Sequence, residues 1–314
     1  MPDSRPSGAA SAANTIAALG VKPLAGIVTL IFSTWFLSGL DAAGKWVMAA
    51  GVSLWVFCWV RYVVHLLFVL VLVLPLHGTR VLRSVRPRAQ LVRGAAMLLA
   101  TLCIFKTLSY LPQAETTAIN FLAPLILLAL APWLLKEPSM ASRWVAAVVG
   151  FLGVLIIIRP GAGLDPVGVV WGLATAFTFA GQFMSTRQVA ADDPLTTLIW
   201  SGVIGVVVLS VTMPMLLPEA IPVLRSLEPF QWLVLLSTGI LGAMGHLLQV
   251  QAYRYAPASL LAPFVYLQIV AAATLGWLIW GQFPDALSWL GIAIVCGSGA
   301  TLAVWEWRRK PVLA

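Results

Sequence analysis

Along almost the whole chain, apolar runs alternate with short joints of Pro, Gly and charged residues. Ten runs are read, over 24–48, 53–75, 90–111, 113–135, 142–158, 166–189, 194–217, 230–256, 258–280 and 285–307. Most approach the ~20 residues that a helix needs to cross a ~30 Å hydrocarbon core. Pro75, Pro112, Pro138, Pro160-Gly161, Pro194, Pro218, Pro257 and Pro284 mark the joints. Those at Pro112 and Pro257 are so short that their flanking helices must form tight antiparallel hairpins. The expected fold is an all-α integral membrane protein with ten transmembrane helices. Residues 1–22, rich in Ala, Ser and Pro, read as a disordered tail without the apolar core of a cleaved signal peptide.

The pattern occurs twice. Tyr110-Leu-Pro112, Lys136-Glu137 and Trp144 return as Tyr255-Ala-Pro257, Gly281-Gln282 and Trp289, all at an offset of 145 residues. A weaker offset of 142 pairs Ser33 with Thr175, Trp35 with Phe177, Gly39 with Gly181 and Lys45 with Arg187. The units are therefore 23–160 and 161–308, followed by a tail over 309–314. Five is odd, so the second unit must sit upside down relative to the first, a 5+5 inverted-topology repeat. Arg80, Arg83, Arg86, Arg88 and Arg93 share one side with Arg308, Arg309 and Lys310. Arg5, Lys22, Lys136, Arg143, Arg187 and Arg254 fall there too, which puts both termini in the cytoplasm.

Composition removes other classes. Hydrophobic residues make up 61% of the chain and charged ones 10%, against roughly 25% charged in a soluble protein. Lipid is thus the expected surrounding partner. The net charge of +8 follows the span ends, so nucleic acid is not an expected partner. Cys58, Cys103 and Cys296 lie in apolar runs at spacings that support neither disulfides nor zinc. No cofactor or metal is expected, and nothing in the pattern calls for more than a monomer.

Gly39-Leu-Asp-Ala-Ala-Gly44-Lys45-Trp46 resembles a phosphate-binding loop, but Trp46 stands where magnesium needs a hydroxyl and no strand precedes it. Gly168 and Gly172 have the spacing that brings membrane helices close, within the bundle or between protomers. Polar groups within the spans carry most information, because a charge at mid-membrane costs about 2.5–3.5 kcal/mol on insertion scales. His246, Gln249 and Tyr253 share one face of their helix, and Tyr266 and Gln268 follow on the next. The repeat matches His246 with Thr101, Tyr266 with Phe121 and Gln268 with Ala123, and Asn120 adjoins Phe121. These groups, with Trp35, are candidate substrate-binding residues around an aromatic, nearly uncharged chamber, the alternative being plain helix-to-helix hydrogen bonds. Lys106 and Glu115 flank the Pro112 hairpin and are expected to pair as a gate, with Tyr253 at the other end. Arg61 and His65 share a helix face and either line a pathway or make a structural contact. Asp41 reads as an end-of-span residue. No carboxylate is placed at mid-depth, which argues against a strongly ion-driven pump.

Ten spans, a five-plus-five duplication, a Tyr-x-Pro hairpin before spans four and nine, and the Lys136-Glu137 and Gly281-Gln282 elements resemble the drug/metabolite transporter superfamily, EamA branch. The acidic residue of that element is missing from the second copy, where Gln282 stands. The run Asp41-Ala-Ala-Gly-Lys45-Trp46, the Arg61-Tyr62 span and the Trp-rich interior are most similar to the bacterial aromatic amino acid exporters. The resemblance implies no enzyme activity. It implies a small-molecule substrate, an aromatic or other neutral amino acid, exported across the cytoplasmic membrane by alternating access. Efflux of hydrophobic drugs or another metabolite remains the alternative, and a non-transporting scaffold the remote one.

Overall fold

The computed structural model describes residues 22–134, 141–159 and 163–309. Residues 1–21, Lys136, Glu137, Pro138, Pro160, Gly161 and Lys310 lie outside the described residues. The described chain forms twelve α-helices and a short 3-10 turn at Thr79–Leu82, without strands. In chain order they are α1 (Pro23–Ala49), α2 (Leu54–His77), α3 (Pro87–Leu108), α4 (Gln113–Asn120), α5 (Leu122–Leu134), α6 (Ala141–Ile157), α7 (Pro166–Gln188), α8 (Pro194–Ser226), α9 (Pro229–Tyr255), α10 (Ala258–Val265), α11 (Leu267–Trp280) and α12 (Ala286–Arg309). Six of these, α1 to α3 and α7 to α9, are long and apolar enough on their own to cross a membrane. Val71, Leu76, Val211 and Met215 stand far out from the bundle, which only a lipid environment tolerates in such numbers.

Helix starts follow local chemistry. Pro166, Pro194 and Pro229 each take the first helical turn, where a missing N–H does no harm. Asp165 caps α7 by accepting from Val167 N at 2.7 Å, and Asp193 caps α8 by accepting from Leu195 N at 2.7 Å. α8 departs from expectation by running on through Pro214, Pro218 and Pro222 to Ser226. Those prolines recur every fourth residue, so the hydrogen bonds they remove fall along one side while the other side stays bonded.

Two antiparallel helix pairs hold the bundle. α1 runs against α9, from Lys22 N donating to Tyr255 O at 2.9 Å, through Ser33 Oγ donating to Gly245 O at 2.7 Å, to Trp46 edge-on to Phe230 at 5.7 Å. α3 runs against α7 in the same way, with Thr107 and Thr175 hydroxyls 3.0 Å apart and Arg93 Nε donating to Thr186 Oγ1 at 3.2 Å. Equivalent glycines seat both pairs. A Cβ on Gly26 would lie 2.7 Å from Ala256 Cβ, and one on Gly168 would lie 2.6 Å from Tyr110 Cβ. Gly168 and Gly172 therefore serve packing within the bundle. The phosphate-loop look-alike is plain helix: Gly44 lies against the Phe57–Phe105 ring pair, where a Cβ would meet Phe105 at 2.4 Å.

Outside the spans, Asp192 joins the α7–α8 turn to the loop before α3. It accepts from Ser84 Oγ at 2.6 Å, Val85 N at 2.6 Å and Gln90 Nε2 at 2.8 Å. Burial opposes its charge, but these hydrogen bonds outweigh it and hold the pKa below the ordinary carboxylate value. A depressed pKa contributes stability that is present above the unfolded value and lost as pH falls through the folded one.

Leucine at Gly26 or Gly168 should destabilise the purified protein by about 1–3 kcal/mol through overpacking, seen as a lower thermal midpoint in detergent. An unchanged midpoint in both would show that the close seams are dispensable. Asp192→Ala should lower the midpoint at neutral pH, with its difference from wild type shrinking below the ordinary carboxylate range. A difference that stays constant would remove the charge from this account.

Candidate functional site

The apolar runs over 113–135 and 258–280 are each broken. The first breaks at Phe121 between α4 and α5, the second at Tyr266 between α10 and α11. These positions are 145 residues apart, the offset of the repeat. Each break has a proline nearby. Pro124 has no N–H for the Asn120 carbonyl, and Pro263 has none for the Ser259 carbonyl. The two breaks meet, with the rings of Phe121 and Tyr266 4.9 Å apart.

Around them lies a chamber of about 210 Å³ whose wall comes from α1, α2, α3, α7, α9 and both broken spans. Of the sequence-predicted substrate residues, His246, Gln268, Asn120, Phe121 and Thr101 line it. Tyr266 turns away, its hydroxyl filling the space a side chain at Gly299 would need. Trp35 stands on the outer face of α1, 42% exposed.

The expectation of a nearly uncharged chamber is not met. Arg61, Arg93 and Asp41 line it together with Gln182, Gln249 and the rings of Phe105, Phe179 and Phe183. Arg93, grouped by sequence with the basic residues at one membrane face, does not reach an exposed surface from there. It lies nearly two turns into α3, with Nη1 donating to the Thr197 carbonyl at 3.3 Å and to Ser201 Oγ. Asp41 is buried rather than reaching an interface, so a carboxylate does face the chamber. Sequence counting missed both because charge near a span end looks the same whether it points outward or inward.

Arg61 is 5% exposed, and its buried Nε has no hydrogen-bond partner among the described residues. It rests on the ring of Tyr62 at 5.0 Å and of Phe105 at 5.7 Å. Gly242 of α9 leaves room for it, a Cβ there lying 3.7 Å from Nη2. Behind it a side pocket of about 30 Å³ is bounded by Arg61, Tyr62, His65, Arg93, Ser201 and His246. The His65 and His246 rings are 6.1 Å apart.

At the hairpin end, the expected Lys106–Glu115 pair does not form. Lys106 Nζ sits over the Tyr110 ring at 5.2 Å. Glu115 is buried, and its Oε2 has no hydrogen-bond partner among the described residues. The charges acting on it are Asp285 and Lys45. Lys45 holds this end instead, donating to Leu111 O at 2.8 Å and to Gln282 Oε1 at 3.3 Å, with its cation 5.0 Å from the Trp280 ring. It thereby joins the first hairpin to the Gly281-Gln282 element of the second repeat. Tyr253, at the far end of α9, is 42% exposed. Among the described residues no group of His, Cys, Asp and Glu is arranged to hold a metal.

The profile of the EamA-like transporter family matches the chain twice, over residues 24–159 and 166–304. The chain belongs to the EamA-like transporter family. Its paired matches coincide with the two sequence repeats, and this multi-pass membrane protein is a small-molecule transporter by family. A riboflavin transporter of Vibrio cholerae is 29% identical over 179 residues, 57% of this chain and 58% of that protein. An S-adenosylmethionine uptake transporter of Rickettsia bellii is 26% identical over 219 residues, 70% of this chain and 73% of that protein. The pseudopaline exporter CntI of Pseudomonas aeruginosa is 28% identical over 211 residues, 66% of this chain and 72% of that protein. A solved crystal structure shares the fold at a TM-score of 0.62 and 17% identity, covering 91% of this chain and 98% of its own.

Lys45→Met should destabilise the protein by about 1.5–3 kcal/mol, the worth of hydrogen bonds made by a charged donor, seen as a lower thermal midpoint. It should also increase modification of a cysteine introduced at Gln282. Equal modification in both backgrounds would take the clasp out of the closed end.

Proposed function

We propose that the chain moves aromatic and other neutral amino acids out across the bacterial cytoplasmic membrane by alternating access. Its ten spans form two oppositely inserted five-helix halves with both termini in the cytoplasm. The observation that carries this reading is the shared chamber at two equivalent helix breaks. Discontinuous helices at a repeat interface are where secondary transporters hold their cargo. The residues there fit a zwitterion bearing a ring. Phe105, Phe121, Phe179 and Phe183 offer aromatic surface, Asn120, Gln182 and Gln268 offer amides, and Arg61 and Asp41 offer opposite charges. At about 210 Å³ the chamber is smaller than the roughly 300–1,000 Å³ of pockets for drug-sized ligands. This favours amino acids over hydrophobic drugs.

The direction is not inherited from the relatives, which include both uptake and export proteins. A carrier without its own energy source runs down whichever gradient it meets. A cell that synthesises amino acids holds them at higher concentration inside, so the net flux is outward.

Cells overproducing the protein should retain less labelled phenylalanine than cells with an empty vector. Purified protein in liposomes should exchange phenylalanine in counterflow. Unaltered retention together with absent counterflow across a panel of neutral amino acids would refute the substrate class.

A further inference from the structure

Two guanidinium groups face the chamber, and a single carboxylate answers them. Asp41 lines the same wall as Arg61, but the two do not close to an ion pair among the described residues. Arg93 is anchored through Nε and Nη1 to Thr186, Thr197 and Ser201, which leaves Nη2 without a partner among the described residues. The Arg61 Nε–H is sealed from solvent, and among the described residues it has nothing to donate to. A buried guanidinium left in that state is unfavourable unless an anion or ordered water completes it. Ionisable groups inside membrane bundles generally mark the path of a solute for this reason.

We propose that Arg61, backed by Arg93, is the seat for the carboxylate of the carried solute. The planar guanidinium of Arg61 is packed against the rings of Tyr62 and Phe105. That posture presents its N–H fork in a fixed direction, which suits the two oxygens of a carboxylate. The side pocket of about 30 Å³ between Arg61, Arg93 and His246 has room for one or two waters, or for such a group in their place. It adjoins the larger chamber, with Arg61, Arg93, Met97 and His246 bounding both. A solute seated this way keeps its carboxylate in the side pocket and its apolar part among Phe105, Phe121 and Phe179. Asp41 remains on the chamber wall, placed for an ammonium group. The seat is one-sided: Arg61 and Arg93 both come from the first repeat, and the second repeat places Thr238 at the position equivalent to Arg93.

This inference rests on the transporter reading, and the test separates the two. Counterflow of labelled phenylalanine in proteoliposomes is challenged with 3-phenylpropionate, which keeps only the carboxylate. Phenethylamine keeps only the amine, and phenylalanine amide keeps the amine with a neutral carbonyl group. In wild type, 3-phenylpropionate should compete, while the amine and the amide should be weaker by roughly tenfold or more. R61Q should raise the KM for phenylalanine by at least roughly tenfold and abolish the preference for the acid, with R61K in between. A folded R61Q that still prefers the acid, or a wild type that accepts the amide as well as the amino acid, would overturn the seat while leaving amino acid transport intact. Thermal protection provides the independent arm. If phenylalanine is not carried, 3-phenylpropionate should still raise the midpoint of wild type and not of R61Q. That result would keep the carboxylate seat and discard the amino acid. Should R61Q fail to fold, equal protection of wild type by 3-phenylpropionate and phenethylamine overturns the seat on its own.

Discussion

Close approach of α1 to α9, and of α3 to α7, is the contact on which the rest is built. In lipid, apolar surface gains little by leaving its surroundings, so helices associate through van der Waals fit and interhelical hydrogen bonds. Gly26 under Ala256, Gly245 under Leu37 and Gly168 under Tyr110 bring backbone nearly to side chain. The Ser33–Gly245 and Thr107–Thr175 hydrogen bonds fix the register along the same seams. Once those seams are set, the faces carrying Asp41, Arg93, Gln182 and His246 turn toward one space. α6 and α12 meet in the same manner, a Cβ on Gly291 falling 2.6 Å from the Gly153 carbonyl.

The chamber joins this packing to chemistry. Breaking two spans at equivalent positions sets Phe121 against Tyr266, so both repeats contribute to the wall where they meet. Charge is placed there among amides and aromatic rings that line the same wall. Arg61 illustrates the balance: two rings lie against its cation, while its buried Nε has no partner among the described residues. At the hairpin end, Lys45 draws a carbonyl of one repeat and an amide of the other onto a single ammonium group. That clasp occupies the place expected for a Lys106–Glu115 pair.

Glu115 and Lys106 show how far a repeat alone can mislead. They flank one hairpin at comparable distance from its tip, yet Glu115 is buried under the influence of Asp285 and Lys45 while Lys106 lies along Tyr110. Helical rise gives depth but not azimuth, and azimuth is set by the turn over 109–112 and by neighbours distant in sequence. Trp35 failed as a chamber residue for the same reason.

Composition and periodicity determined that this chain folds as apolar helices in lipid, because so few charges cannot cover a wetted surface. The offset of 145 residues determined that two matching hairpin units exist, since equal spacing imposes equal local structure. It also marked Phe121 and Tyr266 as equivalents before either was known to break its helix. Only the tertiary structure decided which polar groups face inward, that Arg61 and Arg93 converge with Asp41, and that Lys45 joins the two repeats at one end. Those outcomes depend on the rotation of each helix about its own axis. That rotation is fixed by glycine seams formed between residues more than fifty positions apart, and no local pattern encodes it.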